Sequence, residues 1–378
     1  MVKPCISRIA AWTLAPASLL CAQIVALEPE QAGADFPFQG EYQGEITGAD
    51  GARQAFVAQV SAFGNGSFRG VFFPGGFPGS PGHQAAGRVQ IMGTKSGDKV
   101  AFSGSGLTLA ISGAALTGTG PGQGTVSLAK VTRTSPTLGA KPPAGATVLF
   151  DGNGLATWKT GAAVDTRGLL GVPAETVKRY GNYSLHLEFR LPFEPAGRGQ
   201  ARGNSGIIMN TGGFSEIQVL DSFGDVPYID GCGALFSTAI PAVEANLPPL
   251  AWQTYDINFT APATTGNAIV TVRHNGVIVQ NKTVLKNRQA STLIQLQDHQ
   301  HPVFYRNIWI LERDDYLTPA TALAPAAQAL KARQDRIVLR RSLPTPAAAW
   351  NGILRDMSGR QAQAPRIPAP TANIIPLP

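Results

Sequence analysis

Three segments of the chain alternate apolar residues with residues whose side chains bind ligands or transfer protons. They are Ser184–Phe193, Phe214–Asp221 and Leu293–His299. Since an extended strand sends alternate side chains to opposite faces, each segment predicts a strand with one apolar and one polar side. The polar sides carry His186, Glu188, Arg190, Glu216, Gln218, Gln295, Gln297 and His299. Such rows are the lining expected of a sheet that binds a polyhydroxylated ligand, for which a sugar is the natural candidate. We expect the polar sides of all three segments to line one shared hollow.

The elements that must position these rows are predicted to be strands throughout. Glycine (43 residues) and proline (29) are abundant among the 378 residues, and short β-patterned segments recur between Gly, Asn and Pro clusters. This pattern is typical of an all-β protein. We expect a small β-rich domain at residues 36–135, a linker at 136–146 and a larger two-sheet sandwich at 147–317.

The small domain is predicted to be a sandwich or a barrel of short strands joined by glycine-rich turns. Seven strands are expected, at Glu41–Ile46, Phe56–Ala62, Phe68–Phe73, Arg88–Met92, Lys99–Ser103, Leu107–Ile111 and Val126–Val131. In the larger domain, Asn275-Gly276 lies between two β-branched runs and predicts a two-residue hairpin turn with positive φ at both positions. His274 beside this turn is expected at the surface.

Both ends of the chain differ from the middle. Residues 1–26 combine the basic Lys3 and Arg8 with an apolar run, Ile9–Ala22, which is typical of a cleaved export signal. The mature protein would then be exported, with no transmembrane segment and with Cys232 as its one cysteine, so that no internal disulfide forms. Residues 318–378 are rich in Ala, Pro and Arg and are expected to form a mobile tail.

Net charge and motifs exclude several functional classes. The tail carries eight basic and two acidic residues, +6 of the net charge of +7, so the globular part is nearly neutral. No motif for nucleic-acid recognition accompanies the tail, and we expect no nucleic-acid partner. A phosphate-binding loop, HExxH, paired CxxC and GxSxG are all missing from the sequence, which leaves nucleotide-dependent and cysteine–zinc chemistry unsupported.

Seven motifs, taken in order, resemble the 3-keto-disaccharide hydrolase family, long called domain of unknown function 1080. They are EFRL (188–191), GNSGI (203–207), EIQVLDS (216–222), CGALF (232–236), WQTYDINF (252–259), HNGVIV (274–279) and LQDHQHPVFYRNIWI (296–310). The resemblance covers about residues 146–313. It implies a concanavalin-like (jelly-roll) β-sandwich with a concave sugar-binding sheet, and cleavage of 3-keto-glycosides.

That activity gives the polar rows definite roles. A ketone at sugar C3 acidifies the C2 hydrogen, so a base removes it while an acid assists departure of the C1 substituent. Glu216, His299 and Glu188 are the acid/base candidates, because burial and neighbours can tune their pKa values. The predicted substrate-binding residues are Arg190, Asn204, Gln218, Gln297, Arg306 and Trp252, with Trp252 stacking on a sugar ring.

Each prediction has an alternative. Glu188 and Arg190 would also form a plain ion pair, and Trp252 would also suit the core. A divalent cation held by Asp221, Asp225 and Asp230 stays open, although loop acids often only solvate turns. The rival function is a non-catalytic, lectin-like carbohydrate-binding module, since fold does not fix activity. A third function is a surface scaffold whose tail contacts acidic polymers.

Overall fold

The computed structural model describes residues 24–210, 213 and 215–314. The predicted export signal lies outside the described residues up to position 23, and the predicted tail at 318–378 lies outside them entirely. Ala26 belongs to the folded body instead: it is fully buried and exchanges two backbone hydrogen bonds with Phe193. Within the described ranges, no helix has the length and apolar character needed to cross a membrane.

The first domain is a closed barrel of eight antiparallel strands in sequence order, and β8 pairs with β1. The strands are β1 (Gly40–Thr47), β2 (Arg53–Gly64), β3 (Ser67–Pro74), β4 (Val89–Ser96), β5 (Lys99–Gly104), β6 (Leu107–Ser112), β7 (Ala115–Thr119) and β8 (Thr125–Val131). All seven predicted strands are present, and β7 is the additional one. It is short and contains Gly118, so its sequence carries little strand signal.

Aromatic side chains fill the barrel. Phe68, Phe72 and Phe102 are all fully buried, and the rings of Phe72 and Phe102 meet edge to face at 5.8 Å. Gly93 makes room for this packing, because a Cβ there would stand 2.4 Å from the Phe102 ring. The barrel is therefore a packed core rather than an open channel. Five short 3-10 helices occur among the described residues, at Pro29–Gln31, Phe36–Phe38, Ala85–Gly87, Pro121–Gln123 and Gly199–Ala201.

The second domain is a sandwich of two antiparallel sheets. Its strands are β9 (Thr147–Phe150), β10 (Ala174–Glu175), β11 (Tyr183–Arg190), β12 (Asn204–Asn210), β13 (Glu216–Leu220), β14 (Trp252–Thr260), β15 (Gly266–His274), β16 (Val277–Arg288), β17 (Leu293–Leu296) and β18 (Phe304–Glu312). One sheet has four strands in the order β10-β17-β12-β13. The other has six, in the order β16-β15-β14-β11-β18-β9. The predicted all-β fold is confirmed.

The predicted alternation builds the core between the two sheets. Leu185, Leu187 and Phe189 of β11 are buried in the same cluster as Ile217 and Val219 of β13. The apolar sides of both strands therefore face each other across the sandwich, and their polar sides face away from it.

The predicted hairpin is confirmed, since Asn275 (φ 50°) and Gly276 (φ 81°) join β15 to β16. The prediction that His274 lies at the surface is wrong. His274 continues the inward alternation of β15, is fully buried, and its Nε2 lies 2.9 Å from Gln253 Oε1. Burial, aided by the positive charge of Arg133, lowers the pKa of His274 to about 3, so the imidazole is neutral at pH 7.

The predicted linker is docked on the sandwich. Thr137 Oγ1 donates to Asp256 Oδ2 (2.8 Å), and the Gly139 amide donates to Glu188 Oε1 (2.6 Å). Further along, the carbonyl of Ala140 accepts from Trp309 Nε1 (3.1 Å). This part of the chain therefore covers the outer face of the six-stranded sheet.

Candidate functional site

The polar rows predicted from the sequence lie in two places. Glu188, Arg190, Arg306 and Trp252 share the outer face of the six-stranded sheet. Asn204, Glu216, Gln218 and Gln297 share the outer face of the four-stranded sheet. The expectation that all three segments line one hollow is wrong, because the apolar sides of β11 and β13 face each other and turn their polar sides to opposite surfaces.

Glu188 lies in a network that the protein satisfies itself. Its carboxylate accepts from the Gly139 amide, from Asn307 Nδ2 (2.9 Å) and from Arg306 Nε (2.7 Å). Burial favours the neutral acid, but the hydrogen bonds from His186, Asn307, Gly139 and Arg306 outweigh it and lower the pKa of Glu188 to about 2. Glu188 is thus a permanent anion that ties the docked linker to β11 and β18.

The two arginines beside this network are also occupied. Arg190 pairs with Glu28 (2.6 Å), and its guanidinium carbon lies 5.2 Å from the Trp252 ring centroid. The guanidinium carbon of Arg306 lies 3.9 Å from the centroid of the same ring. Trp252 is thus in contact with two cations of the protein itself rather than offered as an open stacking platform.

The four-stranded sheet carries the better candidate for chemistry. Gln218 of β13 pairs with Gly206 of β12. On the other flank of β12, the backbone amide of Gln297 donates to the Gly206 carbonyl (2.9 Å). These three residues form one row across the sheet. Glu216 belongs to the next row, and its carboxylate leans over Gly206, where a Cβ would stand 1.9 Å from Oε1. The carboxyl group therefore lies between two amide side chains.

Backbone hydrogen bonds fix β13 on both sides, although β13 is an edge strand. The backbone amide of Gln218 donates to the carbonyl of Ala234 (3.0 Å), and the backbone carbonyl of Gln218 accepts from the amide of Gly233 (2.9 Å). One residue pair further, the Phe236 amide donates to the Glu216 carbonyl (3.0 Å). The segment Gly233–Phe236 therefore covers the edge and holds Glu216 in register.

The electrostatics of Glu216 differ from those of Glu188. Its side chain is buried (3% exposed), and burial together with the nearby negative charge of Asp230 raises the pKa to about 7. A carboxyl group with this pKa exists in both protonation states near neutral pH. It can accept a proton and return it.

Sequence reasoning missed Gln200, which bridges the site. Its Oε1 accepts from Asn204 Nδ2 (3.0 Å) and from Gln218 Nε2 (3.1 Å), and its Nε2 donates to the carbonyl of Asp230 (3.0 Å). Gln200 lies in a loop of Gly, Ala and Arg with no strand-like alternation, so no periodic signal marked it. Asp230 was considered only as a cation ligand, whereas it faces Glu216.

Three buried acceptors at this face have no hydrogen-bond partner among the described residues. They are Asn204 Oδ1, Gln297 Oε1 and Asp230 Oδ1. A buried acceptor without a donor costs about 1–3 kcal/mol, so these three atoms favour water or a ligand that donates hydrogen bonds. Several hydroxyl groups on one ligand meet this requirement.

His299 lies in the exposed loop that follows Gln297. Its ring centroid is 6.1 Å from that of His301, whose Nδ1 lies 2.6 Å from Glu194 Oε2. Glu194 also accepts from the Gly203 amide, next to Asn204 (2.6 Å). His301 therefore lies at the end of the sheet where β12 begins, and the ring of His299 lies beside that of His301.

Two of the three acids considered as cation ligands, Asp221 and Asp225, are paired with arginines. Asp221 pairs with Arg202 (2.6 Å), and Asp225 pairs with Arg69. In the part of the chain that the structure describes, no group of three or more His, Cys, Asp or Glu side chains is arranged to hold a metal ion.

Comparison with known proteins matches part of this chain to one family and to several solved structures. Residues 145–311 match the family described as the 3-keto-alpha-glucoside-1,2-lyase-like domain. A candidate glycosyl hydrolase from Parabacteroides distasonis, solved at 2.13 Å, is 32% identical, with 45% of this chain and 85% of that chain covered and a TM-score of 0.41. A second one, solved at 1.70 Å, is 18% identical, with 45% and 94% covered and a TM-score of 0.36. No curated protein matches.

Proposed function

Because residues 145–311 belong to the 3-keto-alpha-glucoside-1,2-lyase-like family, we propose that this protein cleaves 3-keto-glycosides at the C1 bond, on the outer face of the four-stranded sheet. The observation that carries the proposal is the position of Glu216, a buried carboxyl group with a pKa of about 7 among unpartnered acceptors. Export of the protein, inferred from the leader-like residues 1–26, is part of the same proposal.

In the proposed reaction, Glu216 is the base. The ionised carboxylate removes the C2 proton of the 3-keto sugar, the C1–O bond breaks, and a C1=C2 double bond conjugated to the ketone forms. In this proposal the departing oxygen takes a proton from His299, in the loop that follows Gln297. Water then adds at C1 and returns its proton to His299, while Glu216 returns its own proton to C2. Both groups end in their starting state, so the net reaction is hydrolysis.

The surrounding amides orient the ring. Asn204 Oδ1 and Gln297 Oε1 accept hydrogen bonds from sugar hydroxyls and so gain the donors that they lack among the described residues. Gln200 Oε1 accepts from Asn204 Nδ2 and from Gln218 Nε2, and so holds both amide side chains in place. A neutral sugar fits this site better than an acidic one, because Glu216 and Asp230 would repel a carboxylate.

Turnover is the direct test. The purified protein is incubated with 3-keto-trehalose, 3-keto-sucrose and 3-keto-aryl glucosides, and the released C1 substituent is measured. Glu216→Gln should lower kcat by about 10²–10⁴-fold, and His299→Ala should lower it by a comparable factor. The matched control is Glu45→Gln, an exposed carboxylate of the barrel paired only with Arg53. Absence of turnover for every substrate, with or without added divalent cations, would overturn the proposal.

The lectin-like alternative has support from the same acceptors, since they would bind hydroxyl groups whether or not chemistry follows. Binding and turnover separate the two functions. A lectin would bind sugars without 3-oxidation as tightly as 3-keto sugars, and Glu216→Gln would keep that binding. The enzyme would lose turnover in Glu216→Gln while still binding its 3-keto substrate.

A further inference from the structure

The last residues of β2 of the barrel contact a loop of the sandwich, residues 197–203, that reaches the candidate site. Here Phe63 lies among three arginines. The guanidinium carbon of Arg198 is 3.9 Å from the ring centroid, and those of Arg69 and Arg202 are at 5.1 and 5.8 Å. Each guanidinium within about 6 Å of the ring centroid is attracted to the aromatic ring.

Hydrogen bonds reinforce the same contact. Arg198 Nη2 donates to the carbonyl of Phe63 (2.8 Å), and Arg202 Nη1 donates to that of Ala62 (3.1 Å). Arg198 Nη1 also donates to Pro195 (2.7 Å) and Gly197 (2.6 Å), which closes the loop on itself. The barrel therefore holds the loop at two points, four residues apart.

Gln200 lies between those two points. It is the residue that joins Asn204, Gln218 and Asp230 by hydrogen bonds, so any shift of the loop moves the amides at the site. No atom of the barrel is among these partners. The barrel acts on the site through the loop.

A second loop of the sandwich is held in the same way. Ser61 Oγ donates to the carbonyl of Phe223 (2.9 Å), Arg88 Nη2 donates to that of Gly224 (3.0 Å), and Arg69 pairs with Asp225. The chain runs from there to Asp230, which raises the pKa of Glu216. Both loops at the rim of the site are thus anchored on one side of the barrel.

We infer that the barrel completes the candidate site, with Phe63 as a positioning residue that holds Gln200 in place through Arg198 and Arg202. The inference rests on the proposed function for its kinetic consequences but not for its structural ones. It gives the first domain a role that the family match, which begins at residue 145, does not cover.

The test compares Phe63→Ala, Phe63→Tyr, Arg198→Ala and Gln200→Ala in the full chain. Amide hydrogen exchange of residues 197–204 and the kinetics on a 3-keto-glycoside are measured for each. Phe63→Ala and Arg198→Ala should speed exchange in this loop and raise KM, each by about three- to tenfold, with a smaller change in kcat. Phe63→Tyr keeps the ring and should restore both values.

Gln200→Ala removes the hydrogen bonds at the site but leaves both anchors of the loop on the barrel. It should therefore raise KM while amide exchange in the loop stays as in the wild type. Arg53→Ala, on an exposed barrel arginine, is the control and should change neither quantity. If Phe63→Ala does not fold, Arg198→Ala tests the same contact from the sandwich.

Wild-type exchange and wild-type KM in Phe63→Ala and Arg198→Ala would overturn the inference. A rise in amide exchange of equal size throughout the barrel and the sandwich would also overturn the inference. The contact of Phe63 with Arg198 and Arg202 would then stabilise the whole fold without positioning the loop. If the wild type turns over no 3-keto-glycoside, the proposed function fails, and hydrogen exchange alone still decides whether the barrel positions the loop.

Discussion

The carboxylate of Glu216 lies over Gly206 of the neighbouring strand, in space that no other residue would leave free. A Cβ at position 206 would stand 1.9 Å from Glu216 Oε1 and 2.6 Å from Cδ. Because that space is open, the carboxylate lies against the sheet between Gln218 and Gln297 instead of extending into solvent. Its burial, and hence its raised pKa, depends on this glycine.

Gly206→Ala should therefore damage the site without unfolding the protein. The methyl group would push the Glu216 carboxylate off the sheet, and a misplacement of about 1 Å at a catalytic group can cost 10²-fold in rate. We expect kcat/KM on a 3-keto-glycoside to fall by about that factor. Gly171→Ala is the matched control, because its Cβ would meet only ordinary contacts. Equal activity in the two variants would contradict the role assigned to Gly206.

The pH dependence of activity should report the ionisation of Glu216. As the base, Glu216 must be ionised, so kcat/KM should rise with pH through a midpoint near 7. Asp230→Asn removes the negative charge that helps raise this pKa, and the rising limb should move to lower pH. Initial rates between pH 5 and 9 check both expectations. A limb that stays in place in Asp230→Asn would argue against the coupling.

A second buried carboxyl group, Glu244, should make stability depend on pH. Burial raises its pKa to about 8, although Ser222 Oγ (2.7 Å) and the Asn246 amide (3.1 Å) donate to it. In the unfolded chain its pKa returns to about 4.5, so unfolding releases a proton between pH 4.5 and 8. The free energy of unfolding should therefore fall as pH rises across this window.

Glu244→Gln imitates the protonated form and should abolish that loss. We expect the variant to match the wild type near pH 5 and to exceed it by a few kcal/mol at pH 8.5, where the wild-type group is forced to ionise. Urea unfolding at both pH values provides the measurement, with Glu30→Gln at the surface as the control. A constant difference between variant and wild type at the two pH values would refute the prediction.

Glu188→Gln should affect stability rather than catalysis. The substitution leaves Arg306 and the Gly139 amide without their anion, and a hydrogen bond to a charged group contributes about 1.5–3 kcal/mol. Since the folded pKa of Glu188 is about 2, its contribution is present above pH 4.5 and is lost as pH falls towards 2. Urea unfolding at pH 7 and pH 3 should show a larger difference from the wild type at pH 7 than at pH 3. A kcat as low as that of Glu216→Gln would place Glu188 in the reaction after all.

The sequence predicted the strands and their faces, but not which sheet each strand would join. Alternation is a local signal, and it located β11, β13, β17 and the Asn275-Gly276 hairpin. Membership of a sheet depends on long-range pairs such as Ile208 with Gln295, which alternation does not encode. As a result, Glu188 and Glu216 were assigned to one hollow although they lie on opposite surfaces.

Residues outside regular strands escaped prediction for a related reason. Gln200 acts through a loop whose position depends on the barrel, and no pattern in residues 197–203 points to Phe63. His274 was expected at the surface because it adjoins a turn, yet the inward face of β15 extends to its last residue. The residue types of a turn determine the backbone conformation at such a position, whereas tertiary packing determines whether the side chain is buried or exposed.

The covered edge of β13 has a consequence for how this protein can change over time. Its register is maintained by main-chain groups on both flanks, none of which depends on the side chains that it presents to a ligand. Mutation at the outward positions of β13 and β17 can therefore alter which sugar is accepted while the fold is inherited intact. Selection for a new substrate can therefore act on this face at little cost in stability.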